Sequence, residues 1–229
     1  MSLEVSERAQ QETLFEAVLD DIFSGHLVGG QRLKISELAK RFGVSASPVR
    51  EALRKMEGEG FVEIHPNRGA IVKQADAKTL QNIFEVLQLL EPYFVKWFAE
   101  YAQPEMIDEI AEIQEALRRE GGQDLTAFRR LDTEFHGKIV SYHYNYVAAD
   151  SWRKLRRALN VHASPFRIGP VRLRTIIEEH DALIAALRRN DAQEADRVIR
   201  KHVEGSFVQM SQQMRALGIR GIDRSPEPA

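Results

Sequence analysis

Four side chains in the second half of the chain have the types and spacing of a metal site. Asp132 and His136 are four residues apart, which would place them one above the other on a helix face. His180 and His202 lie on two later stretches with helical spacing. One carboxylate and three imidazoles converging inside a helical bundle would hold a divalent transition metal. The same spacing also occurs where a histidine is merely a hydrogen-bonded core or surface residue, so the spacing alone leaves both interpretations open.

Helical periodicity predicts the elements that would position these side chains. Between residues 76 and 217, apolar residues recur at intervals of three and four. Pro104, the Gly121-Gly122 pair and the Asn190-Asp191 turn divide this region into successive helices. We therefore predict an all-helical bundle domain over residues 76–217, followed by a disordered proline-containing tail at 218–229.

A second pattern with a chemical interpretation lies nearer the start of the chain. The residues before Gly43 have helical spacing, and this glycine can end that helix in a sharp turn. Ser45 or Ser47 can cap the next helix, which would direct Arg50 and Arg54 away from its apolar stripe. Two short helices joined in this way form the helix-turn-helix layout that places a helix in the major groove of DNA.

Alternating apolar residues after this motif predict a β-hairpin. Phe61–Ile64 and Ala70–Lys73 have the pattern of strands, and Arg68 lies in the turn between them. A hairpin packed against a helix-turn-helix is a winged helix. We therefore predict a mainly α fold, with a winged helix-turn-helix DNA-binding domain at residues 1–75 before the bundle. The less specific alternative is a small helical subdomain with a surface hairpin and no ligand.

Composition and charge limit the class of protein. The chain has no cysteine, which excludes disulfides and cysteine-type zinc sites and is typical of the cytoplasm, where we expect the protein. No apolar run approaches the roughly 20 residues of a membrane helix, and the acidic N-terminus is atypical of a signal peptide. The formal net charge is −2, yet residues 31–75 carry nine basic against five acidic side chains. Such a local positive excess is expected of a DNA-binding surface.

The N-terminal motifs resemble the DNA-binding domain of the GntR family of bacterial transcription regulators. The resemblance rests on residues 44–53, 59–62 and 68–72, and it covers most of residues 10–73. It implies a homodimer that binds double-stranded DNA. Because one winged helix contacts only a short half-site, we expect two copies on a palindromic operator. The residues that we assign to DNA binding are Arg50, Ser45, Ser47, Arg54 and Arg68. The family usually has a DNA-contacting arginine where this chain has Ala46, so we expect a base preference different from the commonest operators.

The second half resembles the all-helical effector domain, called FCD, of the FadR-type branch of the same family. The resemblance extends over roughly residues 76–215, and the motif residues are Asp132, His136, Asn145, Glu179, His180 and His202. Many members of that branch hold a metal on one aspartate and three histidines, with a small carboxylate effector on or beside the metal. The resemblance therefore implies a divalent metal cofactor, zinc or nickel first, and an effector pocket that includes Gln88 and Asn145. The implied metal ligands are Asp132, His136, His180 and His202.

One position in this domain departs from the family pattern. The family often has Glu-x-x-Arg-x-x-Glu in the first helix, whereas this chain has Gln88 between Glu85 and Glu91. If the missing arginine pairs with an effector carboxylate, this protein either uses another cation or prefers a less acidic ligand. The candidate cations are Arg129, Arg167, Arg172 and Arg174.

Two functions of different classes follow from these patterns. The first is a ligand-responsive transcription regulator, in which a small carboxylate metabolite controls operator binding. The second is a metal-dependent hydrolase that carries an unrelated helix-turn-helix. A hydrolase needs a free general base beside the metal, and the chain has no His-Glu-x-x-His motif to supply one. We therefore predict a non-enzymatic regulator, with a purely structural metal as a third interpretation.

Overall fold

The chain divides into two compact units. The computed structural model describes residues 13–22, 26–66, 69–73, 76–163 and 166–218. The first unit comprises Met1–Ala75 together with Arg157–Pro165, and the second comprises Asp76–Arg156 together with Phe166–Ala229. Arg68 of the predicted wing lies outside the described residues, as does the predicted tail from residue 219 onward.

The first unit combines short helices with a small antiparallel sheet. In its described part, helix α1 is seen at residues 13–22, α2 spans Ile35–Phe42 and α3 spans Ala46–Gly58. The strands are β1 (Arg32–Leu33), β2 (Val62–His65) and β3 (Gly69–Val72), arranged in the order β1-β3-β2. Large side chains such as Phe15, Met56 and Phe61 fill the core between these helices and the sheet.

Local details of this unit differ from the sequence prediction. β1 was not predicted, yet Arg32 and Leu33 pair with Ile71 and Ala70 of β3. β2 begins and ends one residue later than predicted, and β3 one residue earlier. The central position of β3 explains why its first residue is glycine. Gly69 has φ +85°, and a Cβ there would lie 2.2 Å from the carbonyl oxygen of Leu33.

The helix-turn-helix forms as the sequence predicts, with one exception at its turn. Gly43 adopts a left-handed conformation at φ +65° and ends α2, because its backbone N–H donates to Ala39. Ser45 occupies the N-cap position of α3, but no side chain caps that helix. The predicted serine cap is therefore wrong, and the first N–H groups of α3 lack an intrahelical or side-chain cap partner.

The second unit is built from helices. They are α4 (Ala77–Tyr101), α5 (Pro104–Glu120), α6 (Leu125–Ser141), α7 (Tyr146–Ala163, in this unit up to Arg156), α8 (Pro170–Arg188) and α9 (Ala192–Ala216). Asp76 caps α4 by accepting from the backbone N–H of Thr79 at 2.8 Å. α4 packs most extensively on α9, α8 also packs on α9, and α5 lies against α6 and α8. None of the described helices is long and apolar enough to cross a membrane.

Candidate metal centre and DNA-binding surface

The bundle brings together the four residues that the sequence proposes as metal ligands. Asp132 and His136 lie on α6, His180 lies on α8 and His202 lies on α9. One potential ligand atom from each of the four lies within 4.8 Å of the others. Asp132 Oδ1 is 3.9 Å from His136 Nε2 and 3.7 Å from His180 Nε2. The three imidazoles are buried and the carboxylate is partly exposed.

Several of these atoms are buried without a hydrogen-bond partner in the described part of the chain. They are Asp132 Oδ1, His136 Nε2 and His180 Nε2. Buried polar atoms are normally satisfied, so a group of such atoms at one place calls for an explanation. Zinc binds carboxylate and imidazole ligands at about 2.0–2.2 Å, so the observed separations need only a small inward movement. The residues therefore fit a divalent ion with nitrogen and oxygen ligands.

His180 is held in the form that a metal requires by a glutamine on α5. The side-chain nitrogen of Gln114 donates to the carbonyl of Ile177 at 3.0 Å and to Asp181 Oδ1 at 2.9 Å. This fixes the amide so that Oε1 lies 3.1 Å from His180 Nδ1. Because Oε1 can only accept, Nδ1 must carry the proton and Nε2 is left with a free lone pair. Burial also lowers the pKa of His180 well below its usual value, so the ring is neutral.

A carboxylate plays the equivalent part for His202. Glu179 Oε2 lies 3.1 Å from His202 Nδ1 and accepts from Arg172 Nη1 at 2.8 Å. Arg172 also donates to the carbonyl oxygen of His202 and to Ser206 Oγ, at 2.8 and 2.9 Å. A Cβ at Gly205 would lie 2.9 Å from Arg172 Nη1, so the absence of a side chain there makes room for the guanidinium. Burial lowers the pKa of His202, which favours its neutral form.

The third imidazole faces a fully buried glutamate on α4. Glu91 Oε2 is 3.2 Å from His136 Nδ1, and Glu91 Oε1 accepts from the indole nitrogen of Trp152 at 2.7 Å. The His136 contact lies outside strict hydrogen-bond geometry although its distance is short. Burial would raise the pKa of Glu91, but His136, Arg156 and the indole N–H together lower it to about 2. Glu91 is therefore an anion that can orient this ring.

Asp132 is held by an arginine on α7. Arg156 Nη2 donates to Asp132 Oδ2 at 2.7 Å, which leaves Oδ1 toward the imidazoles. Burial would raise the pKa of Asp132, yet the Arg156 guanidinium holds it well below its usual range. Phe135 stacks on His180 with ring centroids 3.9 Å apart, which further restricts that imidazole.

Three of these supporting residues were not predicted from the sequence. Glu91, Gln114 and Arg156 are all buried. Each is a polar residue at a position that belongs to the apolar stripe of its helix, between buried neighbours three or four residues away. This interruption of an apolar stripe by a polar residue could have identified them in the sequence, because a buried polar group needs a hydrogen-bond partner.

The hydrogen bonds of Asn145, one of the two predicted effector residues, are made outside the four-ligand cluster. Asn145 accepts from the backbone N–H of Ala148 and so caps the start of α7. Its side-chain nitrogen also donates to the Tyr93 hydroxyl at 3.3 Å, which connects this end of α7 to α4. Gln88 is half-buried on α4. Of the candidate cations, Arg167 and Arg174 are exposed, whereas Arg129 and Arg172 are partly buried.

The winged helix carries a basic groove of about 580 Å³ between α3 and the hairpin. Its polar lining residues are Arg32, Lys34, Ser36, Arg50, Arg54 and His65. Arg54 forms an ion pair with Glu51, and Lys34 forms one with Glu37. Among the side chains that the structure describes, none pairs with Arg50, which is exposed. Ser45 and Ser47 are exposed too. Arginine and serine side chains can donate hydrogen bonds to DNA phosphates and to base edges.

Comparison with known proteins identifies the family. A family model described as "Bacterial regulatory proteins, gntR family" matches residues 10–72, and one described as "FCD domain" matches residues 82–205. The chain belongs to the gntR family. It is a transcription regulator with an FCD effector domain, as its sequence resemblance predicted. Regulators of this family bind DNA operators.

Individual relatives agree with this assignment. The Bacillus subtilis (strain 168) "uncharacterized HTH-type transcriptional regulator YdhC" is 25% identical over 185 residues, covering 79% of this chain and 82% of that protein. The "HTH-type transcriptional repressor NanR" of Escherichia coli (strain K12) is 28% identical over 197 residues, covering 73% and 71%. The solved structure of E. coli McbR/YncC has a TM-score of 0.74 at 22% identity, covering 89% and 98%, and shows the same fold. The curated relatives are named as regulators rather than enzymes.

The role of Gln114 can be tested directly on the metal-free protein. Gln114→Met keeps the side-chain volume similar but removes the acceptor from His180 Nδ1. We expect nitrogen-15 NMR of the wild-type protein at neutral pH to show that Nδ1 of His180 is protonated and Nε2 is unprotonated. The variant should populate both neutral tautomers, whereas Gln193→Met, an exposed change on α9, should leave the spectrum unchanged. Identical His180 tautomer populations in wild type and Gln114→Met would show that the amide does not set the tautomer.

Proposed function

We propose that this protein binds a palindromic operator as a homodimer, and that a small ligand at a divalent metal site controls this binding. The observation that carries the proposal is the cluster of Asp132, His136, His180 and His202, in which the first three residues have buried ligand atoms that lack a hydrogen-bond partner among the described residues. A bound ion with these four ligands would keep coordination positions open for an oxygen of the ligand. The proposed place of action is the cytoplasm, where a regulator reaches its operator.

The donor set supports zinc or nickel and a carboxylate-type ligand. The four residues offer three imidazole nitrogens and one carboxylate oxygen, a set that both ions accept. The acceptors on Nδ1 of His180 and His202 favour the tautomer that coordinates through Nε2, and Glu91 Oε2 lies 3.2 Å from Nδ1 of His136. The effector residues Gln88 and Asn145 remain a prediction from the family resemblance.

The positions of the nearby carboxylates favour a regulator over a hydrolase. A metal hydrolase needs a carboxylate or histidine that is free to take a proton from the metal-activated water. Glu91 is committed to His136 and Trp152, and Glu179 is committed to His202 and Arg172. These contacts explain both glutamates as orienting groups. A purely structural metal would bind in the same place but would not respond to a ligand.

DNA recognition centres on Arg50, because its guanidinium is exposed and lacks a described partner. Arg50→Ala should therefore weaken operator binding more than Arg54→Ala, since Arg54 is already paired with Glu51. Loss of a bidentate base contact costs roughly 1–3 kcal/mol, and loss of a phosphate contact reduces the salt slope by about one. Fluorescence anisotropy with operator DNA across a salt series measures both quantities.

A matched control for this experiment is Arg197→Ala, which removes one exposed arginine from α9. It changes the net charge equally and should leave operator affinity as in wild type. Wild-type affinity in Arg50→Ala over the whole salt series would contradict the proposed recognition surface.

The metal assignment predicts the behaviour of single ligand variants. His180→Ala, and likewise Ala at Asp132, His136 or His202, should lower zinc and nickel content and weaken the effect of the metal on ligand binding. The apo variants should still fold, because the helices bury an apolar core of their own. His26→Ala, which removes an exposed histidine of the first unit, should retain full metal content. Elemental analysis after loading, together with thermal melts, gives these quantities.

Full metal occupancy in all four ligand variants would contradict the site. So would wild-type protein that takes up no metal after loading with both zinc and nickel.

The homodimer is supported by an exposed apolar stripe on α4. Val86, Leu89, Tyr93 and Tyr101 recur at helical spacing and are exposed, and Leu89 has 71% of its surface in water. The Trp97 ring lies 5.3 Å from the Tyr101 ring and 6.1 Å from the Tyr144 ring, centre to centre, so the stripe continues into a cluster of aromatic rings. Contiguous exposed apolar surface of this kind is typical of an interface. One winged helix reads only a short half-site, so a second copy supplies the other half.

Placing a charge on this stripe should separate the two copies. We expect sedimentation velocity at micromolar concentration to show a wild-type dimer and a Leu89→Lys monomer. Val171→Lys, at an exposed valine on α8, should remain dimeric. A wild-type monomer at this concentration, both free and on operator DNA, would contradict the homodimer.

A further inference from the structure

The charged side chains around the candidate metal centre balance one another before any ion binds. Among the described residues, the acidic groups that contact or face the four ligands are Asp132, Glu91 and Glu179. The basic groups are Arg156, Arg172 and Arg129. Three negative and three positive charges cancel, and the imidazoles must be neutral to bind a metal. A divalent ion would thus add two positive charges that no protein group offsets. Burying uncompensated charge is costly, so the missing charge should come from the ligand.

Arg156 provides a place for part of that charge. Its side chain is 91% buried, and Nη2 is held by Asp132 Oδ2 at 2.7 Å. Its guanidinium carbon lies 5.7 Å from the centre of the Trp152 ring, which places the group between an indole and a metal ligand. Nε of Arg156 is buried and has no hydrogen-bond partner in the described part of the chain. A buried donor without an acceptor costs free energy, and an anionic oxygen would satisfy it.

The other buried arginines are less suited to this task. Arg172 also has a buried Nε without a partner, but it reaches the cluster only through Glu179 and the carbonyl oxygen of His202. Arg129 donates to the carbonyl oxygen of Phe166. Arg156 forms a hydrogen bond with a side chain that is itself a proposed metal ligand, Asp132.

We propose that the ligand of this site is a dianion with two oxyacid groups, such as a short dicarboxylate. One group completes the coordination of the metal, and the other accepts from Arg156 Nε. The proposal rests on the proposed function, because it requires the metal. It gives Arg156 the task of selecting a second negative charge, which distinguishes dianions from monocarboxylates and from neutral ligands.

The test compares ligands that differ by one carboxylate in zinc-loaded protein. Malonate, succinate and glutarate are titrated by calorimetry beside the monoanions of equal carbon number, propionate, butyrate and valerate. The best dianion should bind about 10- to 100-fold more tightly than its monoanion, the range expected of a charged hydrogen bond. Zinc content is measured after each titration, so that removal of zinc by a dicarboxylate is not mistaken for binding.

Two variants assign the preference to Arg156. Arg156→Gln should reduce dianion affinity to the monoanion level while zinc content stays at one per chain. Arg156→Lys should retain part of the preference, because it keeps the charge but loses Nε. Arg153→Gln, an exposed change one turn earlier on α7, should behave as wild type.

The outcomes separate this inference from the function on which it rests. Zinc uptake with equal affinity for dianions and monoanions in wild type overturns the dianion ligand and leaves the metal site standing. An unchanged preference in zinc-loaded Arg156→Gln overturns the role of Arg156. If Arg156→Gln loses zinc or fails to fold, the ligand series on the wild-type protein tests the dianion preference and the Arg156→Lys variant tests the role of Arg156. Wild-type protein that takes up no zinc overturns both the inference and the metal site.

Discussion

The orientation of three buried imidazoles is the constraint on which the rest of the second unit depends. A histidine can coordinate a metal through Nε2 only when its proton resides on Nδ1. In this protein a different acceptor faces each Nδ1: Glu91 for His136, Gln114 for His180 and Glu179 for His202. Two of these acceptors are anions and one is a neutral amide. An anionic acceptor raises the basicity of a metal-binding imidazole more than a neutral one, so the three rings would bind the same ion with different basicities.

Most helices of the bundle contribute a residue that binds or orients these imidazoles. The proposed ligands come from α6, α8 and α9, and their supports come from α4, α5, α7 and α8. The contacts cross between helices, apart from the pairs Asp132–His136 on α6 and Arg172–Glu179 on α8. Packing of the apolar stripes sets the distances between these helices, and the polar contacts then select one arrangement within that packing. A ligand that moves the coordinating groups would consequently act on several helices at once.

The sequence predicted the features that depend on local spacing. It placed Asp132 and His136 on one helix and the turn of the helix-turn-helix at Gly43, as the structure does. It also predicted the two hairpin strands to within one residue. The supports of the histidines were not predicted. Gln114 and His180 are 66 positions apart, so no local pattern could connect them. β1 was missed for a similar reason, because two residues become a strand only by pairing with β3.

X-ray absorption spectroscopy of zinc-loaded wild-type protein tests most directly whether one divalent ion is held by three imidazoles and one carboxylate. We expect only nitrogen and oxygen neighbours, at about 2.0–2.2 Å, with outer-shell scattering from three imidazoles. Addition of succinate should change the oxygen shell and leave the imidazole scattering intact. A spectrum with fewer than three imidazoles, or with a sulfur neighbour, would contradict the account.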